Sequence, residues 1–271
     1  MSGRAQVSDA SGVVGSRREF LQATVGALFA PALLACAGSP ALPDPDDFGD
    51  PRLRTRPAPP TEGFVRGASP LGLSDSRDGL LYVPGTYSPA SPAPLLVLLH
   101  GAKGSADSWA SFHARAEATA TVLLLPESRS PVSWDLVLTG FREDLDFIDR
   151  ALELAFSRCN IDPARVWLGG FSDGATYALS LGIRNGDLFS RLLGFSPGFL
   201  VRRDPIGRPR VFISHGTPDA TFSVKYTRDD IVGTLRRVGY DVTYLEFVGG
   251  HGVPASVGDA SMEWLGASDG T

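Results

Sequence analysis

Residues Gly170-Phe171-Ser172-Asp173-Gly174 read Gly-x-Ser-x-Gly. A serine hydroxyl is a poor nucleophile until a histidine takes its proton and an acid orients that histidine. The pentapeptide therefore carries chemistry only in the right company. The chain holds four histidines: His100 in "LLHGAKGS", His113 in a helical run, His215 in "ISHGTPD" and His251 in "GGHGVP". For the acid, Asp219 lies a few residues past the strand run that ends at His215, where loops carry functional groups in open α/β sheets. Asp229 and Asp230 compete, but both fall inside a helical run. An attacked carbonyl also needs N–H donors for the oxyanion that develops on it, each worth on the order of 3 kcal/mol. The amide of Asp173, directly after the serine, is one donor, and Ala102 in the loop His100–Ser105 is the expected second. The Asp173 carboxylate is expected to be incidental.

These residues need elements to hold them. From Thr61 onward, short leucine-rich or β-branched runs alternate with amphipathic ones, the pattern of a mostly parallel sheet covered by helices on both faces. Strand runs are "GLLYVP" from Gly79, "PLLVLLHG" from Pro94, "TATVLLLPE" from Thr119, "RVWLGGF" from Arg165, "RLLGFSPG" from Arg191, "RVFISHG" from Arg210 and "DVTYLEFV" from Asp241. The run from Pro94 is apolar on both faces and belongs mid-sheet. Phe141–Arg158, Asp173–Arg184 and Ser223–Val238 read as helices, the first with Leu145, Ile148, Leu152, Ala155 and Phe156 on one face. The serine thus falls at a strand-to-helix junction, the setting a nucleophile elbow requires. Acidic Glu143, Asp144, Asp146 and Asp149 open a helix, where they suit its dipole. Trp134, in "SPVSWDL", is read as a wall of the substrate pocket or as a surface-packed ring. Trp109 is expected to cover the start of the helix after the oxyanion loop.

The 271 residues carry a net charge of -5, with charged residues at 20% and hydrophobic ones at 43%. That balance gives no basic footprint for nucleic acid. The two cysteines, Cys36 and Cys159, form no CxxC or Cys/His pattern. Neither a disulfide framework, a metal site nor a cofactor is expected. Residues 1–36 read as an export segment. Ser16-Arg17-Arg18-Glu19-Phe20-Leu21 resembles a twin-arginine signal, an alanine-rich stretch follows, and Leu33-Leu34-Ala35-Cys36 resembles a lipobox. On that reading Cys36 is lipidated and holds the exported protein on a membrane. A plain secretory signal is the other reading, since Ala35-Cys36-Ala37 also fits small-x-small cleavage. Residues 37–60, crowded with Pro, Asp and Arg, read as a semi-rigid tether or leader, and residues 61–271 as the folded domain.

From Pro94 to Gly252 the chain resembles the α/β-hydrolase superfamily, above all its phospholipase/carboxylesterase group with polyhydroxybutyrate-depolymerase-like and feruloyl-esterase-like relatives. The pieces that carry the resemblance are "LLVLLHGAKGSADSW", "SWDL", "NIDPARVWLGGFSDGA", "NGDLFSRLLGFSPG", "HGTPDATFS" and "GGHGVP". In that fold the base lies in the loop after the last strand, and the chain order is nucleophile, acid, base. By the resemblance Ser172 is the nucleophile, Asp219 the acid, His251 the base, and the Ala102 and Asp173 amides the oxyanion hole. His100 and His215 then read as structural. The loop Gly-Ala-Lys departs from the Gly-Leu-Gly of cytosolic carboxylesterases, and "ATFSVKYT" lacks their valine-proline pair. The resemblance implies a serine esterase acting on small-molecule or polymeric esters. Two alternatives stand beside it: a polyester or feruloyl-polysaccharide depolymerase or lysophospholipase with the same triad, and a non-catalytic lipoprotein that uses the fold for binding.

Overall fold

The computed structural model describes residues 48–202 and 204–267. Eight strands form one sheet: β1 (Gly67–Pro70), β2 (Gly79–Val83), β3 (Ala93–Leu99), β4 (Val122–Pro126), β5 (Ile161–Phe171), β6 (Arg191–Phe195), β7 (Arg210–Gly216) and β8 (Val242–Phe247). Their order across the sheet is β1-β2-β4-β3-β5-β6-β7-β8. Strand β2 pairs antiparallel with both β1 and β4, while the other pairs are parallel. Every residue of β3 is buried, as a strand apolar on both faces requires.

Alternation along β3 divides the core in two. Leu95, Val97 and Leu99 join the layer beneath helices α2 (Glu143–Arg158) and α3 (Asp173–Arg184), whereas Leu96 and Leu98 join the layer beneath α1 (His113–Thr119) and α4 (Ala255–Gly266). A 3-10 segment, Ala106–Phe112, leads into α1. Between β7 and β8 the chain is helical but irregular, through Val224–Tyr226, Thr227–Val232 and Gly233–Arg237. The strands and helices expected from the pattern are present. Strand β1 and helix α4 carry too little apolar periodicity to be singled out beforehand.

The expected tether is in part a docked strap. Leu53 is buried in the core, its amide donates to Asn185 Oδ1 at 3.0 Å, and Asn185 Nδ2 donates to the Pro51 carbonyl at 2.6 Å. The amides of Arg54 and Thr55 donate to the Asp149 carboxylate, and Arg52 reaches the Arg184 carbonyl and Asp187. A proline-rich extended segment has its backbone groups free for such side-chain partners, and these bonds seat it together with buried Pro51 and Leu53. The export segment and Cys36 lie outside the described residues, and no helix among the described residues is long and apolar enough to cross a membrane.

The segment from Arg129 to Asp144 is tied by two carboxylates. Asp144 accepts from the amides of Arg129 and Asp135 at 2.5 and 2.6 Å, and Asp135 accepts from those of Arg142 and Asp144 at 2.8 and 2.9 Å. Burial, then the charge of Asp144, raises the Asp135 carboxyl from the ordinary 3.8 to about 6, against the pull of the donated amides. A raised folded-state pKa favours the fold while the group is protonated. The contribution is complete below pH 3.8 and disappears as pH rises through about 6. Asp135→Asn keeps an acceptor oxygen and does not titrate. Its urea midpoint should therefore gain on the wild type between pH 4 and pH 7, and parallel midpoint curves would contradict this.

Candidate active site

The serine sits where β5 turns into α3, at φ 56° and ψ -120°. A non-glycine residue there stores strain of about 1–3 kcal/mol, sustained only by surrounding structure. The Ser172 amide donates to the Phe195 carbonyl at 2.9 Å, and its own carbonyl accepts from Thr176 at 3.0 Å. The two glycines of the motif are there for space. A Cβ on Gly170 would lie 2.2 Å from the Gly174 carbonyl oxygen, and one on Gly174 would lie 2.2 and 2.4 Å from the carbonyl oxygens of Leu99 and His100.

The structure brings Ser172, His251 and Asp219 together. Ser172 Oγ is 2.8 Å from His251 Nε2, and His251 Nδ1 is 2.7 Å from Asp219 Oδ2. An ionised carboxylate only accepts, so in the neutral imidazole Nδ1 carries the proton and Nε2 is left to accept from the serine hydroxyl. Rings of Phe171 and Phe222 lie 4.8 and 5.4 Å from the imidazole and restrict its rotation. The Asp219 side chain is wholly buried. Burial opposes its charge, yet hydrogen bonds from the Phe222 amide, His251 and the Thr221 amide hold its carboxyl below the usual range. Asp229 is elsewhere, exposed and bonded to Lys225.

Of the two expected oxyanion donors, Asp173 directly follows the serine and Ala102 lies in the loop after β3, next to Gly101, where an added Cβ would lie 3.4 Å from Ser172 Cβ. Asp173 occupies the first turn of α3, where an amide has no carbonyl of its own helix to bond. In the facing loop the Lys103 amide donates to the Val132 carbonyl and the Gly104 amide to the Gly101 carbonyl, at 2.9 and 3.0 Å, while the Ala102 amide makes no such bond. The positive end of α3 points at the same place. A cleft of about 280 Å³ opens alongside, lined by Gly101, Ala102, Trp109, Phe112, Phe171 and Val253 among others.

Trp134 does not line that cleft, contrary to the pocket-wall reading. It is fully buried, and its indole N–H donates to the His100 carbonyl at 2.7 Å. Nothing local in "SPVSWDL" distinguishes a ring that turns inward beneath the loop from one that faces substrate. The tryptophan on the cleft is Trp109. His100 is buried and structural: Nδ1 lies 2.7 Å from the Gly101 carbonyl, and Nε2 accepts from the Ser128 amide at 3.1 Å. Burial lowers its pKa, which keeps that acceptor free. His113 opens α1 and stacks on Tyr82 at 4.1 Å. Cys159 is buried, and burial pushes its thiol up to about 12. No group of three or more His, Cys, Asp or Glu among the described residues is placed to hold a metal ion.

His215 has a role that its position at a strand end conceals. Its Nε2 is 3.1 Å from the Phe222 carbonyl and 3.1 Å from Asp219 Oδ2, the oxygen that also faces His251. Both neighbours are acceptors, so Nε2 carries the proton. Burial keeps the ring's pKa low, outweighing the Phe222 carbonyl and Asp219. The four-residue spacing from His215 to Asp219 across a turn is the signal that could have revealed the contact.

No protein-family model matches the chain, and no curated protein matches it. Solved structures do. An esterase named PE8 superposes with a TM-score of 0.58 at 22% identity, over 69% of this chain and 96% of that one. An acetyl xylan esterase from Aspergillus awamori gives 0.56 at 18% over 69% and 93%, and the Bacillus cereus carboxylesterase 0.53 at 19% over 70% and 94%. At such identities the likeness shows the fold, which is that of the α/β-hydrolases.

Replacing His215 with Phe removes one N–H from the surroundings of Asp219 while keeping a buried ring. The Asp219 carboxylate loses a donor, so its pKa, followed by carboxyl ¹³C NMR, should rise. An unchanged titration would show that His215 does not support the carboxylate.

Proposed function

We propose that this chain is a serine hydrolase that cleaves carboxylic esters through an acyl-enzyme. The observation that carries the reading is the continuous relay from Ser172 Oγ through His251 to Asp219, at 2.8 and 2.7 Å. Ser172 Oγ attacks the ester carbonyl as its proton passes to His251 Nε2, and the imidazolium is stabilised by Asp219. The carbonyl oxygen, now an anion, receives the amides of Asp173 and Ala102. As the tetrahedral intermediate collapses, the C–O bond to the alcohol breaks and His251 returns the proton to the leaving oxygen. Water then repeats the sequence on the acyl-enzyme and releases the acid.

The cleft favours small esters. At about 280 Å³ the cleft beside Phe171 lies at the small end of ligand-sized clefts, whose range is about 300–1,000 Å³. Exposed Ser108 and Ser111 give its open side hydroxyl groups, beside the apolar wall of Trp109 and Phe112. Short acyl groups on a hydroxylated alcohol suit this lining better than a long lipid chain does. The chain is further read as exported, with Cys36 as its lipid-bearing residue, on the strength of the paired arginines and Leu33-Leu34-Ala35-Cys36. Stable anchoring on a membrane requires more than one acyl chain, which a lipidated N-terminal cysteine would supply.

Hydrolysis of a nitrophenyl acetate series tests the enzyme reading. Ser172→Ala should lower kcat by a factor of about 10⁴ or more with the fold intact, and acetate should be turned over faster than decanoate. Retained activity in Ser172→Ala would end the proposal. Mass spectrometry of the mature protein tests the anchor, and an unmodified N-terminus after Cys36 would remove it.

A further inference from the structure

The reaction proposed above needs two amides on different segments held at a fixed separation. One belongs to Asp173 on the elbow and the other to Ala102 on the loop after β3. Strand pairing fixes the ends of β3 and β5 side by side, with Leu99 opposite Gly170. Beyond those residues the ladder stops, and the loop must be held by something else. Its conformation is not one the chain adopts unaided, because Lys103 lies at φ 58°.

Arg77 donates from its guanidinium to the Gly104 carbonyl at 3.0 Å and the Ser128 amide bonds His100 Nε2, and three consecutive residues tie the loop to the elbow side. Val132 offers its carbonyl to the Lys103 amide at 2.9 Å. Trp134 donates its indole N–H to the His100 carbonyl at 2.7 Å. Between them Ser133, only 3% exposed, donates its hydroxyl to Asp173 Oδ2 at 2.5 Å. Two of the three grip the loop from either side of Ala102, and the third grips the residue next to the nucleophile. The Asp173 carboxylate thus engages a protein hydroxyl and closes a circuit from elbow to oxyanion loop. The segment that carries these three residues is itself anchored by the reciprocal amide bonds of Asp135 and Asp144, so it can transmit position.

We propose that the side chain of Asp173 is a positioning residue: through Ser133 it sets the distance between the elbow and the loop His100–Gly104, and hence between the two oxyanion donors. The proposal rests on the ester-hydrolase reading of the site. It gives Asp173 two separate functions, an amide that meets the reacting oxygen and a carboxylate that meets Ser133. It also explains why Trp134 is buried: its task is to hold the His100 carbonyl.

A double-mutant cycle on the full chain tests this, with a short nitrophenyl ester as substrate and an alkyl boronic acid as a probe whose tetrahedral adduct presents an oxyanion. Ser133→Ala and Asp173→Ala should each lower kcat by about tenfold with little change in KM, the size expected when a donor is displaced by a fraction of an ångström. Because both remove the same bond, the double variant should be no worse than the poorer single. Boronate affinity should fall in step with kcat/KM, the pH profile should stay in place, and Ser133→Thr, which keeps a hydroxyl, should restore kcat. Multiplicative losses in the double variant, a rise in KM alone, or boronate affinity unchanged while kcat falls would each overturn the proposal and leave the esterase reading standing. A wild-type chain that neither hydrolyses the ester nor binds the boronate would overturn both.

Discussion

The close approach of helix α3 to the end of β3 is the constraint on which the site depends. Gly174 lets the first turn of the helix pass so near the Leu99 and His100 carbonyls that a methyl group there would lie 2.2 and 2.4 Å from their oxygens. Gly170 lets the chain double back on that turn. The serine between them is forced to φ 56°, a conformation worth holding because it lifts the hydroxyl off the end of the sheet. Elbow and oxyanion loop are brought together by the same contact. With bulkier residues at either glycine the helix would move outward, and the donors on its first turn would move with it.

Around that fixed point, carboxylates act mostly as receivers of backbone and side-chain N–H groups. Asp219 gathers the Thr221 and Phe222 amides and His251 Nδ1, with His215 Nε2 nearby. Asp135 and Asp144 do the same for the segment that carries Ser133 and Trp134. Asp149 and Asp187 do it for the strap near Leu53. Each arrangement converts a loop with no ladder of its own into a structure of defined position. That is what a site assembled from four separate loops requires.

Much of this was legible in the residues. Ser172 and Asp219 are visible from side-chain chemistry at the ends of strands in an alternating α/β pattern, His251 is picked from four histidines by the chain order that the family resemblance implies, and the apolar run through β3 marks the centre of the sheet. The docking of Leu53 was hidden because proline and charge dominate its neighbourhood and one leucine makes no period. Trp134 was misplaced because an aromatic residue near a catalytic edge reads the same whether it faces in or out. His215 and Ser133 were missed for a common reason: each acts on a residue distant in sequence or across a turn, through a bond that only the folded geometry creates. The Asp173 carboxylate, set aside as incidental, proved to be bonded to Ser133.

On the proposed reading Ser172 is the nucleophile and His251 makes it one. Treatment of the full chain with a fluorophosphonate, followed by intact-mass measurement and peptide mapping, tests it directly. A single phosphonyl group per chain is expected on Ser172, with the rate of addition falling by orders of magnitude in His251→Ala. An unmodified chain, or an adduct on another residue, would contradict it.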